Sequence, residues 1–394
     1  MNNRQLVLLV FITAAAILWG CSKDDTSSAS YPAIKAAFGN NIDPNNPDNY
    51  SGQTIPFYIT KDNGMGNPIN NKKATLGRVL FYDKELSTNR TVSCASCHKQ
   101  SFSFGDTALV SAGVEGGVTF RHSMRLVNTR FANENKFFWN ERAASLEIQT
   151  TMPIKDHAEM GFSGTNGRPE FSSLLPRLSG IDYYKELFEY AYGDKNVTES
   201  RLQECLAQFI RSIQSFDAKY DAGRSQVNAD AAPFPNFTAQ ENNGKNLFLT
   251  PPSFDASGNR ISGGLGCNGC HRAPEFDIDP NSRNNGIIGI INNTGLDLTN
   301  TRAPSLRNLT KTSGEVNGPM MHTGVIKTLA AAIGHYGTIN IAPGNNNLDP
   351  RLRPNGVGQK LNLTAAEVNA VVAFMQTLSG TAIYNDKKWS DPFQ

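Results

Sequence analysis

This 394-residue chain lacks any marked excess of positive or negative charge: 37 basic residues stand against 35 acidic ones, a formal net charge of +2. No strong field therefore argues for nucleic acid or an acidic membrane surface as a partner. Strand signals are few, so a mainly α fold is expected. No apolar run reaches the roughly 20 residues that a membrane span needs. Histidine and cysteine are both scarce, at six each. What is plentiful is glycine (34) and proline (20), which predicts many loops. The length allows two or three domains, and 39% hydrophobic with 18% charged residues suits a globular protein.

The first residues read as a targeting signal. Arg4 supplies a positive start, and Leu6 to Gly20 is a largely apolar stretch. Leu18-Trp19-Gly20-Cys21 then resembles the lipobox of bacterial lipoproteins, in which the cysteine is lipidated and becomes the new N-terminus. The following Ser22-Lys23-Asp24-Asp25 resembles a surface-export signal of such lipoproteins. The expectation is a signal peptide over 1–20 and an exported, lipid-anchored outer-membrane protein, periplasmic or surface-exposed. Residues 21–60, rich in Ser, Asn, Asp and Pro, are expected to be a tether.

With Cys21 assigned to the lipid and Cys205 alone, four cysteines remain, in two pairs of one spacing: Cys94-Ala95-Ser96-Cys97-His98 and Cys267-Asn268-Gly269-Cys270-His271. Both are C-x-x-C-H, the attachment signature of c-type haem. Two thiols add to the two vinyl groups, and the histidine that follows lies under the iron as proximal ligand. A thioredoxin-like redox pair, a zinc site or disulfides would also use paired cysteines. None of these requires a histidine after each pair. With six histidines in the chain, two such placements by chance have a probability of about one in 4,000. The expected cofactors are two covalently bound haem c groups. Cys205, beside the apolar face of Leu202, Leu206, Phe209, Ile210 and Ile213, reads as a packed free thiol.

The two motifs have similar surroundings. Gly77-Arg78-Val79-Leu80-Phe81 precedes the first and Gly244-Lys245-Asn246-Leu247-Phe248 the second; Phe104-Gly105-Asp106 and Phe276-Asp277 follow. One unit has been used twice. Thr238-Ala239-Gln240-Glu241 and Thr364-Ala365-Ala366-Glu367 are capping boxes that open helices. The expected architecture is two mainly α, cytochrome c-like domains, 61–228 and 229–394, packed with the haems near their interface.

Between and beyond the motifs, the segments Arg121 to Asn128, Phe138 to Gln149, Met152-Pro153-Ile154, Glu159-Met160, Arg302 to Asn308 and Met321-His322-Thr323-Gly324 resemble the bacterial dihaem cytochrome c peroxidase and MauG family. The resemblance runs from about Leu76 to Leu378. It implies that peroxide is cleaved at the first haem, on His98. Glu159 then matches the distal-pocket glutamate and Gln149 the glutamine beside it. A carboxylate there can take a proton from the near oxygen of peroxide and return it to the far one. Trp139 matches a tryptophan lying between the haems. The second haem, on His271, is implied to transfer electrons. Its sixth ligand, usually methionine in the peroxidases, falls here on Tyr336, as in MauG-like members. His335 is the simpler ligand by chemistry, and the two remain alternatives.

Two departures matter. Where many members carry a distal histidine that blocks the first iron, this chain has Val114. His122 stands where an asparagine helps bind calcium, and Asn317 and Pro319 match backbone calcium ligands, so calcium stays an open expectation. His157 reads as an exposed loop histidine. The leading activity is reduction of hydrogen peroxide with electrons from a small donor such as a cytochrome c or cupredoxin. A MauG-like oxidase of a protein or organic substrate and a non-enzymatic electron carrier are the alternatives. A second copy of the chain is a candidate partner.

Overall fold

The computed structural model describes residues 30–394 apart from 135, 279, 292, 300 and 301. The expected signal peptide, Cys21 and the start of the tether lie outside them. The chain is mainly α: helices α1 (Pro32–Phe38), α2 (Asn71–Tyr82), α3 (Leu146–Lys155), α4 (Asp182–Tyr192), α5 (Glu199–Ser212), α6 (Ala239–Leu249), α7 (Leu329–Gly337) and α8 (Ala365–Gln376) carry the structure, with shorter helical turns between them. Strands are confined to two-stranded antiparallel pairs, such as Pro252–Phe254 with Arg260–Gly263. Both capping boxes form, Thr238 with Glu241 and Thr364 with Glu367, and fix the starts of α6 and α8.

The repeat seen in the sequence is a repeat of packing. α2 crosses α5 at Gly77, where a Cβ would lie 2.0 Å from the Cys205 carbonyl oxygen. α6 crosses α8 at Gly244, where a Cβ would lie 1.9 Å from that of Ala370. Only glycine lets either helix pair approach so closely. Phe81 meets Phe209 at 5.2 Å and Phe104 at 6.0 Å; Phe248 meets Phe374 at 5.3 Å and Phe276 at 5.7 Å. Asn128 and Asn308 both take positive φ, and their N–H groups donate to the Ile213 and Leu378 carbonyls. The basic residue after each glycine is buried: Arg78 donates to the Asn41 and Ser390 carbonyls, Lys245 to those of Asp230 and Ala232.

Two apolar cores result. One holds Leu76, Phe81, Phe104, Leu187, Leu206 and Phe209; the other holds Phe248, Phe276, Leu309, Ile333, Val371 and Phe374. Three expected boundaries are corrected. Residues 31–60 are not a tether: Ile34, Phe38, Ile42 and Tyr50 are buried in the first core, because this Ser- and Asn-rich stretch still carries enough apolar side chains at helix-compatible spacing. The C-terminal tail does not stay with the second half: Ile383 and Trp389 return to the first core, and the Trp389 indole donates to Ser212 Oγ. The second core starts at Tyr220 rather than after 228, and next to it a buried Arg307–Asp221 ion pair joins the intervening segment to that half.

Candidate haem and catalytic site

Each C-x-x-C-H motif opens on its own cavity. Cys94, Cys97 and His98 line the first; Cys267, Cys270 and His271 line the second. None of the four cysteines is in a disulfide. His98 Nδ1 lies 3.2 Å from the Phe104 carbonyl oxygen, so as a donor there it would leave Nε2 available to ligate iron. Burial lowers the pKa of His98 and pushes His271 down to about 4, which keeps both rings in the neutral form that binds iron. Half-buried cysteines at vinyl-matching spacing, a neutral histidine beside them and an apolar cavity fit a haem in each half.

Glu159, Gln149 and Trp139 all line the cavity of His98. Gln149 comes from α3, whose start is fixed by the Ser145 side chain accepting from the Ile148 N–H. Where α3 ends, Asp156 Oδ1 accepts from the Ala158 and Glu159 N–H groups at 2.8 and 3.1 Å. From the other side the Val114 N–H donates to the Glu159 carbonyl at 3.0 Å. The catalytic candidate is thus gripped by both its backbone groups. The fit of this loop depends on Gly113, where a Cβ would lie 1.9 Å from the Ala158 carbonyl oxygen. Burial, then repulsion by Asp156, raises the Glu159 carboxyl to about 7 against the opposing pull of Arg142.

Val114 is buried against this loop and is not part of the cavity lining. His122 lines both cavities, but its Nδ1 faces the Ala108 carbonyl at 2.9 Å and its backbone N–H donates to His322. Trp139 also lines both cavities; it is buried and donates from Nε1 to the His122 carbonyl at 2.7 Å. His157 is half-buried, 2.9 Å from Ser163 Oγ, and does not line the cavity. Cys205 is buried with its sulfur 3.3 Å from the Tyr192 hydroxyl.

At the second haem position the two candidate ligands separate. Tyr336 lines the cavity of His271. His335 does not, and its Nε2 faces the Asn285 carbonyl at 2.9 Å. Asn317 is buried and donates to the Asn308 carbonyl and the Tyr384 hydroxyl. Among the described residues no group of three His, Cys, Asp or Glu side chains gathers as a metal site. Two residues that sequence reasoning gave no role, Arg125 and Arg302, line both cavities. The only signal for them was two basic residues inside otherwise apolar or polar motifs with no acidic neighbour.

Known proteins resemble the chain over most of its length. The family model described as di-haem cytochrome c peroxidase matches residues 71–228. The methylamine utilization protein MauG of Methylophilus methylotrophus is 28% identical over 329 residues, covering 81% of this chain and 86% of that protein. Cytochrome c551 peroxidase of Nitrosomonas europaea is 26% identical, covering 79% and 81%. The crystal structure of a MauG-like protein associated with microbial copper homeostasis superposes with a TM-score of 0.65 at 27% identity, covering 87% of this chain and 99% of that one. On the matched motifs, the repeated fold and these relatives, the chain belongs to the dihaem cytochrome c peroxidase and MauG family.

Proposed function

We propose that this chain holds two covalent haems in two cytochrome c-like domains and reduces hydrogen peroxide to water with electrons from a small redox protein, a cytochrome c or cupredoxin. The observation that carries this reading is the meeting of Glu159 and Gln149 in the cavity of His98. Cys94, Cys97 and His98 would hold one haem, and Cys267, Cys270 and His271 the other. When bound, the first haem supplies the iron at which the O–O bond is split. The chain's own groups move the protons. One peroxide, two protons and two electrons give two waters, and one proton must pass from the near oxygen to the far one. A carboxyl with its pKa near the working pH accepts and returns that proton with least penalty, which suits Glu159. Gln149 carries both a donor and acceptor with which to orient peroxide. Trp139, in the wall common to both cavities, gives electrons an aromatic route from the second haem.

The test is Glu159→Gln. Both haems should remain attached while peroxide turnover falls by roughly 10²–10⁴-fold. In the wild type the rate should fall as pH drops below about 7, because the base is then protonated; the variant should lose that inflection. Near-normal turnover would remove Glu159 from the chemistry. A MauG-like oxidase of a protein or organic substrate is the second reading, favoured by Tyr336 in the second cavity. An electron carrier alone gives Glu159 and Gln149 no task. At the N-terminus we read a lipid anchor on Cys21. Cys21→Ser should release the protein from the membrane fraction, and retention would refute the anchor.

A further inference from the structure

Arg125 and Arg302 are buried, at 9% and 4% exposure, and each side chain has a nitrogen without a hydrogen-bond partner: Nε of Arg125 and Nη1 of Arg302. Among the described residues neither guanidinium makes an ion pair. Glu134, Glu141 and Asp277 act on Arg302 only through their field, and Arg125 has no carboxylate influencing it. Uncompensated burial lowers both from their ordinary values to about 10. A buried, unpaired cation costs several kcal/mol by order of magnitude, so such a group is kept only where an anion answers it. The chain makes room for both. Arg125 threads past Gly105, where a Cβ would lie 2.8 Å from its Cγ. Arg302 lies over the Phe137 ring at 4.6 Å, and its backbone N–H donates to the Trp139 carbonyl.

Both arginines stand in the wall shared by the two cavities, with Trp139 and His122. Haem brings two carboxylates of its own, the propionates, and a planar guanidinium pairs with a carboxylate in two parallel hydrogen bonds. We propose that Arg125 and Arg302 are the carboxylate-binding residues for the haem propionates at this shared wall, and that their charges act on both haems at once. This rests on the dihaem reading above. It also gives the wall a second task beside carrying Trp139: two fixed positive charges there favour the reduced form of each iron and hold the two potentials in a common field.

The experiment uses the full haem-loaded protein, with Arg125→Gln and Arg302→Gln titrated by spectroelectrochemistry and the haems counted by mass. With two haems attached, each Gln variant should show a fall in the midpoint potential of both haems, and Arg→Lys at the same position should restore much of it. Two attached haems with potentials unmoved, or only one moved, would overturn the proposal. If a Gln variant does not load haem, the Lys variant at that position must load and titrate close to wild type; a Lys variant that also fails assigns the residue to packing and overturns its role. A wild-type protein with fewer than two haems would instead sink the dihaem reading itself.

Discussion

Around His98, α2 and α5 cross at Gly77 over Cys205, with Phe81, Phe104 and Phe209 packed beneath; around His271, α6 and α8 cross at Gly244 over Ala370, with Phe248, Phe276 and Phe374. Phe104 and Phe276 even share a φ of 56°. Against that sameness, the cavities are furnished differently. The first receives Gln149 from α3 and Glu159 from the loop that follows it. The second receives Tyr336 from α7. His98 has the Phe104 carbonyl behind it, whereas His271 Nδ1 is buried without a partner. A hydrogen bond behind a ligating histidine raises its basicity and steadies its ring. On the proposed reading, the repeated scaffold would fix where each haem sits, and the different side chains lining each cavity would set its task.

The largest effect tests whether the halves are independent in cofactor attachment. Wild-type protein, denatured and weighed, should show two haem additions. Cys267→Ala with Cys270→Ala should show one, with peroxide turnover lost for want of electron supply. The corresponding change at Cys94 and Cys97 should also leave one, with no peroxide cleavage. A wild-type mass with one or no haem would break the comparison at its root.

Smaller, and symmetrical, is the cost of spoiling the helix crossings. A Cβ at Gly77 or Gly244 must push apart two backbones that lie within van der Waals contact, since the carbonyl oxygen is only 2.0 or 1.9 Å away. Overpacking of this kind costs about 1–3 kcal/mol and occasionally more. Gly77→Ala and Gly244→Ala should both destabilise, by similar amounts, in denaturant unfolding. A loss at one position alone would show that the two crossings are not equivalent.

Much of this symmetry was legible in the sequence because local chemistry encodes it. The C-x-x-C-H spacing, the Gly-basic-x-Leu-Phe runs and the capping boxes each need only neighbouring residues. Glu159 and Gln149 were legible only through resemblance, since an acid ten residues beyond a glutamine carries no local sign of a shared cavity. The shared wall was not legible. Arg125 and Arg302 are separated by slightly more than one repeat, and their burial depends on how the two halves pack. The packing of 31–60 and the return of Ile383 and Trp389 were hidden for the same reason: both are long-range contacts made by segments that look like loops.

The smallest expected effect is also the one that separates the two cavities most sharply. With haem bound, Tyr336 would be available to the second iron, while Val114 is buried outside the lining of the first cavity. His335 and Tyr336 are adjacent on α7, and successive residues on a helix point about 100° apart, so one helix cannot present both to the same iron. Tyr336 is the one lining the cavity. His335 has already committed Nε2 to the Asn285 carbonyl. His335→Ala should therefore leave the oxidised spectrum of the second haem unchanged and lower stability by about 1 kcal/mol, the usual worth of one such hydrogen bond. Tyr336→Phe should change that spectrum, because the phenol oxygen is lost while the ring remains. If the histidine variant alone altered the spectrum, the ligand would be His335 and α7 would have to turn by one residue. The contrast between the two cavities would then survive, with a different side chain facing the second haem.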